Sequence, residues 1–142
     1  MVICLSLGAN IGNREHTIQQ ALTRIEQQVG IITRCSSFYY SAPWGFSSDN
    51  EFCNICCVVE TALSPMEVLR ATQAIEQALG RTHKSHNGHY ADRTIDIDLI
   101  RAFDGEKEME VRTPELTIPH PLWQQRDFVR KPLEEILPNR SL

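Results

Sequence analysis

Two aspartates separated by a single residue are the side chains of this chain with the clearest chemical potential. They lie in residues 92–100, which read DRTIDIDLI and alternate as a β-strand does. Side chains of a strand point alternately to opposite faces and each residue advances about 3.3 Å, so Asp96 and Asp98 share one face about 6–7 Å apart. The other face of the strand is apolar: Ile95, Ile97 and Leu99.

Two interpretations of this aspartate pair remain open on these nine residues. One is an exposed strand face that carries two solvated acids. The other is a site for a divalent cation, because two like charges so close together ionise jointly only when a positive charge lies between them. Mg²⁺ prefers carboxylate oxygens and usually keeps waters and substrate phosphates as further ligands.

The whole chain has the size and composition of one globular domain, residues 1–142. Its 142 residues are 42% hydrophobic and 23% charged, and the net charge is −4. The negative charge argues against a general nucleic-acid or anionic-membrane binder. No apolar run approaches the roughly 20 residues of a membrane helix, and the start of the chain lacks a basic leader. We therefore expect a cytoplasmic protein.

Cysteines and histidines offer two further metal patterns, and both are weak. Cys53 and Cys56 form a CxxC within a strand-like run, where residues three apart point to opposite faces, so the two thiols cannot easily bind one metal. All five cysteines are expected to be reduced and buried. The histidines His83, His86 and His89 fall in a glycine-containing loop without ligands at helical spacing. We give zinc binding there little weight.

The hydrophobic periodicity and the residues typical of helix ends and turns predict the helices and strands that carry these groups. Asn13 and Ser64 are candidate helix caps, the latter in a capping box with Glu67, and Gly30 and Gly80 end the two helices. Strands are predicted over residues 2–7, 31–40 and 52–61, and the strand of the aspartates follows residue 93 and ends at about residue 102. Long loops are predicted over residues 41–51 and 81–93, and Asp104 and Gly105 signal a hairpin that leads to a strand near residues 109–112.

The order strand, helix, strand, strand, helix, strand predicts an α+β fold of the ferredoxin-like βαββαβ type. In this arrangement both helices cover one face of an antiparallel sheet and leave the other face free for a ligand. A C-terminal hairpin strand and short helices are expected after it. The aspartate pair would then lie outside the core, on the free face.

Basic and aromatic residues gather in the loops next to this face. The loop 81–93 carries Arg81, His83, Lys84, His86, His89 and Arg93, a basic set suited to a polyphosphate. Trp44 and Phe46 lie in the first loop, and Phe52 and Asn54 share a strand face that offers stacking and an amide for a heterocycle edge. Gly8 to Asn13 make a poor phosphate loop, so we give them a structural role.

The chain resembles the 6-hydroxymethyl-7,8-dihydropterin pyrophosphokinase family of folate biosynthesis along nearly its whole length. The resemblance rests on LGANIGN near the start, SSFYYSAPWG, the FxN at Phe52, QxxExxxGR from Gln73, DRTIDIDL, and IPHP followed by RxFV. The family fold is ferredoxin-like.

The resemblance implies transfer of pyrophosphate from ATP to the hydroxymethyl group of 6-hydroxymethyl-7,8-dihydropterin, with release of AMP. Two Mg²⁺ ions would be held by Asp96 and Asp98. We expect a monomer whose partners are these two substrates, with no nucleic acid and no membrane.

The resemblance also assigns roles to individual residues. It implies that the catalytic residues are Arg81, Arg93, Asp96 and Asp98. The nucleotide contacts would be Gln73, Glu76, Arg81, His83, Arg93, Thr117, His120 and Arg126. The pterin contacts would be Ser41, Ala42, Trp44, Gly45, Phe52, Asn54 and Phe128.

Two departures from the family pattern and two rival functions remain. His83 stands where a second arginine is known and Tyr90 where tryptophan is common, and these two residues bear on loop dynamics and ATP affinity. The rivals are an RNA-binding sheet, which would want a basic face, and a small-ligand sensor, which would not need the aspartate pair.

Overall fold

A computed structural model of the chain describes residues 1–42, 51–80 and 94–137. Five residues assigned to the site by resemblance lie outside the described ranges: Trp44, Gly45, Arg81, His83 and Arg93. The three histidines of the loop 81–93 lie outside them too.

Eight strands and three α-helices make up the described part of the chain. In chain order they are β1 (Val2–Ala9), α1 (Arg14–Gln28), β2 (Ile31–Cys35), β3 (Tyr39–Ser41), β4 (Phe52–Glu60), α2 (Pro65–Ala78), β5 (Asp96–Asp104), β6 (Lys107–Glu108), β7 (Val111–Arg112), β8 (Thr117–Ile118) and α3 (Asp127–Ile136). A short 3-10 helix, Trp123–Gln125, precedes α3. Within the described ranges, none of the helices is both long and apolar enough to cross a membrane.

Both predicted helix starts are confirmed. The Asn13 side chain accepts a hydrogen bond of 3.2 Å from the His16 N–H. At the start of α2, the Glu67 N–H donates to Ser64 Oγ at 3.2 Å and the Ser64 N–H donates to Glu67 Oε1 at 3.0 Å. Each bond satisfies a backbone donor that the first helical turn leaves unpaired.

The main sheet is antiparallel, in the order β2-β4-β1-β5-β6, with β3 paired to β4. This matches the predicted α+β fold. The helices α1 and α2 cover one face and form the first core with alternate residues of the three central strands. Fully buried side chains of this core include Ile3, Leu5, Leu7, Ile18, Ile25, Val59 and Ile75.

The prediction that the opposite face stays free is wrong for part of the sheet. A second core covers it, built from β1, β4 and β5 together with Trp123, Val129, Leu133 and Ile136. The last three recur at helical spacing along α3 and bury one side of that helix. The short helices predicted for the tail are present, and Pro132 lies inside α3.

Three strand predictions also differ in detail. The strand predicted over residues 31–40 is two strands, because the pairing with β4 is interrupted between Cys35 and Tyr39. The predicted strand near residues 109–112 is replaced by β6, which completes the hairpin, and β7, which pairs with β8 in a second sheet. In β5, Ile100 is an extra residue between the pairs Leu5–Leu99 and Cys4–Arg101, a β-bulge.

The cysteines follow the prediction with one exception. Cys53 lies in the first core and Cys56 in the second, so the CxxC is split between opposite faces as expected. Cys4 and Cys57 are buried as well, but Cys35 is exposed because β2 is an edge strand. Burial raises the pKa of the Cys56 thiol well above its usual range, and a hydrogen bond with Ser6 offsets part of that rise.

Candidate active site

The two aspartates open β5 on the face opposite the first core. Both are half-buried, whereas Ile97 and Leu99 are 5% and 4% exposed beneath the helices. The predicted separation of carboxylates and aliphatic side chains is therefore present. The second core begins further along β5, at Ile100, and leaves the aspartates outside it.

The register of three neighbouring strands aligns the aspartates with residues of β1 and β4. Gly8 of β1 is paired with both Asn54 and Asp96. Residues paired in this way have side chains on the same face, and strands lie about 4.8 Å apart, so Asn54 and Asp96 are about 10 Å apart across Gly8. One row thus joins an amide on β4 to a carboxylate on β5.

Gly8 leaves the middle of this row without a side chain. A Cβ atom built there would lie 3.0 Å from Asn54 Oδ1 and 3.6 Å from Phe52 Cδ1. We gave this residue only a structural role from the sequence, and its position in the site was missed. A glycine inside an otherwise apolar strand is the signal that could have identified it, because such glycines often mark a close approach.

Hydrogen bonds fix the orientation of the Asn54 side chain. Its Nδ2 donates to the Tyr39 carbonyl at 2.9 Å and to Ser41 Oγ at 2.8 Å, and the residue is 2% exposed. The carbonyl can only accept, so the amide cannot be flipped without losing a bond. Both amide hydrogens are used, which leaves Oδ1 as the group able to face a ligand, and that group is an acceptor.

Two aromatic rings border the site, one on β4 and one on α3. Phe52 is half-buried and pairs with Ser41 across β3 and β4. Phe128 is half-buried at the start of α3, packs against the second core, and has the Arg126 guanidinium 5.9 Å from its ring centroid. Ala42 is exposed directly after β3.

His120, in the segment between β8 and α3, lies near both Asp96 and Arg126. The His120 N–H donates to the Ile100 carbonyl at 2.8 Å, and its Nδ1 accepts from the Leu122 N–H at 3.1 Å. Burial lowers the pKa of His120 and the nearby Arg126 lowers it further, while Asp96 opposes the shift. These interactions favour a neutral imidazole with its hydrogen on Nε2.

The remaining predicted nucleotide contacts differ in their surroundings. Glu76 is buried at 7% exposure, and its Oε2 accepts a 2.7 Å hydrogen bond from the Ile97 N–H. Gln73 is exposed on α2, and Thr117 is exposed on β8. The structure thus brings Asp96, Asp98, His120, Arg126 and Glu76 to one end of β5.

The donor set of this end of β5 fits a hard divalent cation. Two half-buried carboxylates supply oxygen ligands on one face, the ligand type that Mg²⁺ prefers. Among residues 1–42, 51–80 and 94–137, no group of three or more His, Cys, Asp or Glu side chains could hold a metal. The usual further ligands of Mg²⁺ are waters and substrate phosphates.

Comparison with known proteins places this geometry in a family. Residues 4–138 match the model of the 7,8-dihydro-6-hydroxymethylpterin-pyrophosphokinase family. A 2-amino-4-hydroxy-6-hydroxymethyldihydropteridine pyrophosphokinase of Porphyromonas gingivalis is 44% identical over 137 residues, which is 96% of this chain and 91% of that protein. The Bacillus subtilis protein of the same name is 38% identical over 133 residues, 93% of this chain and 75% of that protein.

Solved structures agree with the fold. The HPPK-DHPS protein of Plasmodium falciparum, solved with pteroate, superposes with a TM-score of 0.73 at 15% identity, and the match covers 99% of this chain and 39% of that one. With the family model, the curated relatives and the fold in agreement, the chain belongs to the 7,8-dihydro-6-hydroxymethylpterin-pyrophosphokinase family and is a transferase of folate biosynthesis, acting on a hydroxymethyldihydropterin.

Proposed function

We propose that Asp96 and Asp98 bind two Mg²⁺ ions together with ATP for transfer of pyrophosphate to 6-hydroxymethyl-7,8-dihydropterin. The hydroxymethyl oxygen forms a bond to the β-phosphorus of ATP, and the bond between that phosphorus and the oxygen of the α-phosphate breaks. The products are the pterin diphosphate, AMP and the proton of the hydroxyl group. Bound Mg²⁺ neutralises the triphosphate and aligns the two reacting oxygens.

Residues of β3, β4 and α3 bind the pterin substrate in this proposal. The Asn54 Oδ1 atom accepts a hydrogen bond from the heterocycle edge, and the Ser41 hydroxyl accepts a hydrogen bond from Asn54 Nδ2. The rings of Phe52 and Phe128 are suited to stacking on a flat ligand. Ala42, Trp44 and Gly45 complete the set proposed from the family resemblance.

Residues near the other end of the row bind the nucleotide. The Arg126 guanidinium lies near His120, and the neutral His120 offers its Nε2 hydrogen as a donor. Gln73, Thr117, Arg81, His83 and Arg93 are proposed as further contacts by the same resemblance. Arg81 and Arg93 would stabilise the charge that shifts to the α-phosphate, since phosphoryl transfer depends on positioning and electrostatics.

One observation carries this proposal: the row that joins Asn54, Gly8 and Asp96 on one face of three adjacent strands. A ring held at Asn54 would have its side arm pointing over Gly8 toward the aspartates. About 10 Å separates the two ends of the row, a span that a pterin with its hydroxymethyl arm can bridge.

The test is an assay of the purified protein with ATP, Mg²⁺ and the reduced hydroxymethylpterin, followed by separation of the nucleotides. We expect AMP and pterin diphosphate in equal amounts. The variant Asp96→Asn should lose activity by at least about a hundredfold, because it removes a ligand charge, and circular dichroism should show that it stays folded. Asp104→Asn, at the exposed far end of the same strand, is the matched control and should retain activity.

Three results would contradict the proposal. Formation of ADP would exclude pyrophosphoryl transfer, and full activity of Asp96→Asn would exclude the aspartate pair as the metal site. If the protein bound the pterin equally well with and without the aspartates and showed no turnover, it would be a ligand sensor. A single domain over residues 1–142, a monomeric state and a cytoplasmic location remain predictions, for which gel filtration and cell fractionation are the measurements.

A further inference from the structure

The outer edge of β5 has no strand beside it at the aspartates within the described part of the chain. On its inner side β5 pairs with β1 from Asp96 onward, whereas β6 pairs only with Phe103 and Asp104. Backbone groups along this edge find other partners. The Ala102 carbonyl accepts from the Met109 N–H and the Ile100 carbonyl accepts from the His120 N–H, both at 2.8 Å.

Glu76 takes the place of the missing strand at the aspartates. Its Oε2 accepts the Ile97 N–H at 2.7 Å, in a buried bond between residues 21 positions apart in the chain. Ile97 directs its N–H to this edge and its side chain into the first core. Because alternate strand residues point their amides to opposite edges, the amides of Asp96 and Asp98 face β1.

In this geometry both the side chain and the backbone amide of Ile97, the residue between the two aspartates, are held in place. Its side chain is held by the core beneath α1 and α2, and its amide is held by a carboxylate from α2. The bond to an ionised acceptor is stronger than a neutral amide bond. A carboxylate at this position also adds negative potential next to the aspartate pair, which favours a cation there.

We infer that Glu76 is a positioning residue, which holds the backbone between Asp96 and Asp98 and thereby raises the affinity of the aspartate pair for a divalent cation. The inference rests on the proposed function, because it takes the aspartates as the cation site. It differs from the family resemblance, which implies that Glu76 contacts the nucleotide directly.

Two variants separate the parts of this inference. Glu76→Gln keeps an acceptor oxygen but removes the charge, and Glu76→Leu removes the acceptor. Glu67→Gln is the matched control, since it removes a charge from the same helix about 14 Å away along the axis. All three are compared with the unaltered full chain.

Three readouts are needed. Exchange of the Ile97 amide, followed by ¹⁵N-resolved NMR without ligand, tests the hydrogen bond by itself. Electron paramagnetic resonance of Mn²⁺ tests cation binding, with and without a non-hydrolysable ATP analogue. The affinity for the analogue is measured separately at saturating Mn²⁺.

We expect Glu76→Leu to lose protection of the Ile97 amide and to bind Mn²⁺ about tenfold more weakly, a loss typical of residues that orient metal ligands. Glu76→Gln should keep protection and lose about two- to threefold in Mn²⁺ affinity, because only the charge is gone. Analogue affinity at saturating Mn²⁺ should change little in either variant, and Glu67→Gln should match the unaltered protein throughout.

Unchanged Mn²⁺ affinity in Glu76→Leu overturns the inference. So does a loss of analogue affinity that persists at saturating Mn²⁺ in both variants, because it would show direct nucleotide contact. If the unaltered protein binds no Mn²⁺ even with the analogue, the metal site and this inference fail together. If it binds Mn²⁺ as expected but produces no AMP, the proposed reaction fails while the role of Glu76 stands.

Discussion

At the scale of single residues, Gly8 is the position where a small change has the most specific effect. It separates Asn54 from Asp96 in the sheet, and a side chain there would meet Asn54 and Phe52. A Cβ atom would approach Asn54 Oδ1 to 3.0 Å, tighter than most contacts of real Cβ atoms. The neighbouring amide would have to shift, and its two donor bonds to Tyr39 and Ser41 resist that shift.

We therefore predict that Gly8→Ala raises the KM for the pterin by about tenfold, the scale at which one methyl group discriminates in a fitted pocket. The KM for ATP should change little, because the added methyl lies nearer to Asn54 than to the nucleotide contacts. Steady-state kinetics with each substrate varied in turn measures both values. An equal rise in both KM values would indicate general disruption of the sheet, and thermal denaturation checks for it.

Residue-level reasoning from the sequence found the aspartates but not the groups that hold them. The alternation of DRTIDIDLI was sufficient to place Asp96 and Asp98 on one face and Ile97 on the other. The bond from Glu76 to Ile97 joins residues 21 positions apart, and no local pattern reveals it. The sequence places Glu76 on the second predicted helix, and the family resemblance implies only a nucleotide contact for it.

At the scale of elements, the hairpin of β5 and β6 contains an ion pair between a buried arginine and a half-buried glutamate. The Arg101 guanidinium donates from Nε and from one terminal nitrogen to the two Glu108 carboxylate oxygens, both at 2.8 Å. The Arg101 side chain is 4% exposed, against 34% for that of Glu108. The guanidinium also lies 5.0 Å from the ring centroid of Phe103 and 5.3 Å from that of Trp123.

Removal of the carboxylate should destabilise the protein more than removal of both charges. Glu108→Leu strips a buried guanidinium of its bidentate partner, and we predict a loss of about 2–3 kcal/mol in the free energy of unfolding. The double variant Arg101→Met with Glu108→Leu should recover at least half of that loss. Urea denaturation of both single variants and the double variant measures the coupling. A double variant less stable than Glu108→Leu would show that the guanidinium is held mainly by the aromatic rings.

Element order followed from the sequence more reliably than element ends. The capping box of Ser64 and Glu67 and the apolar stripes of both helices are local signals, and the structure reproduces them. The interruption at residues 36–38 and the bulge at Ile100 are not local, because each is defined by the partner strand. The short helices expected in the tail are present, but the bounds of α3 were not predicted, because the tail holds four prolines and Pro132 lies inside the helix.

At the scale of the whole molecule, one sheet separates two hydrophobic cores, and only one of them shares a face with the site. The first core lies under α1 and α2, and the second lies under α3 on the face that carries the site. The helix α3 is tied to the edge of the sheet by Glu135, which accepts from Ser37 N–H at 2.8 Å and from Ser37 Oγ at 2.7 Å. The Arg34 side chain adds a bond of 3.3 Å to the Ile136 carbonyl.

Equal losses of stability in the two cores should therefore have unequal effects on activity. Leu133→Ala and Ile25→Ala each truncate a fully buried side chain, and each should cost about 2–5 kcal/mol of unfolding free energy. Only Leu133→Ala is expected to raise the KM for the pterin, because Phe128 packs on the second core. Denaturation curves and kinetics below the unfolding transition test this, and an equal rise in both variants would contradict it.

The extra residue at Ile100 divides β5 into two segments that can change independently. Before it, the strand is held by β1 and Glu76, and its alternation sets the direction of the aspartates. After it, pairing with β1 resumes at Cys4 and Arg101. The alternation of side chains between the two faces is therefore set separately in the hairpin beyond. A gain or loss of one residue in the hairpin would be absorbed there without turning the aspartates to the wrong face. Length variation among relatives should therefore collect beyond Ile100, leaving the segment before it constant in length.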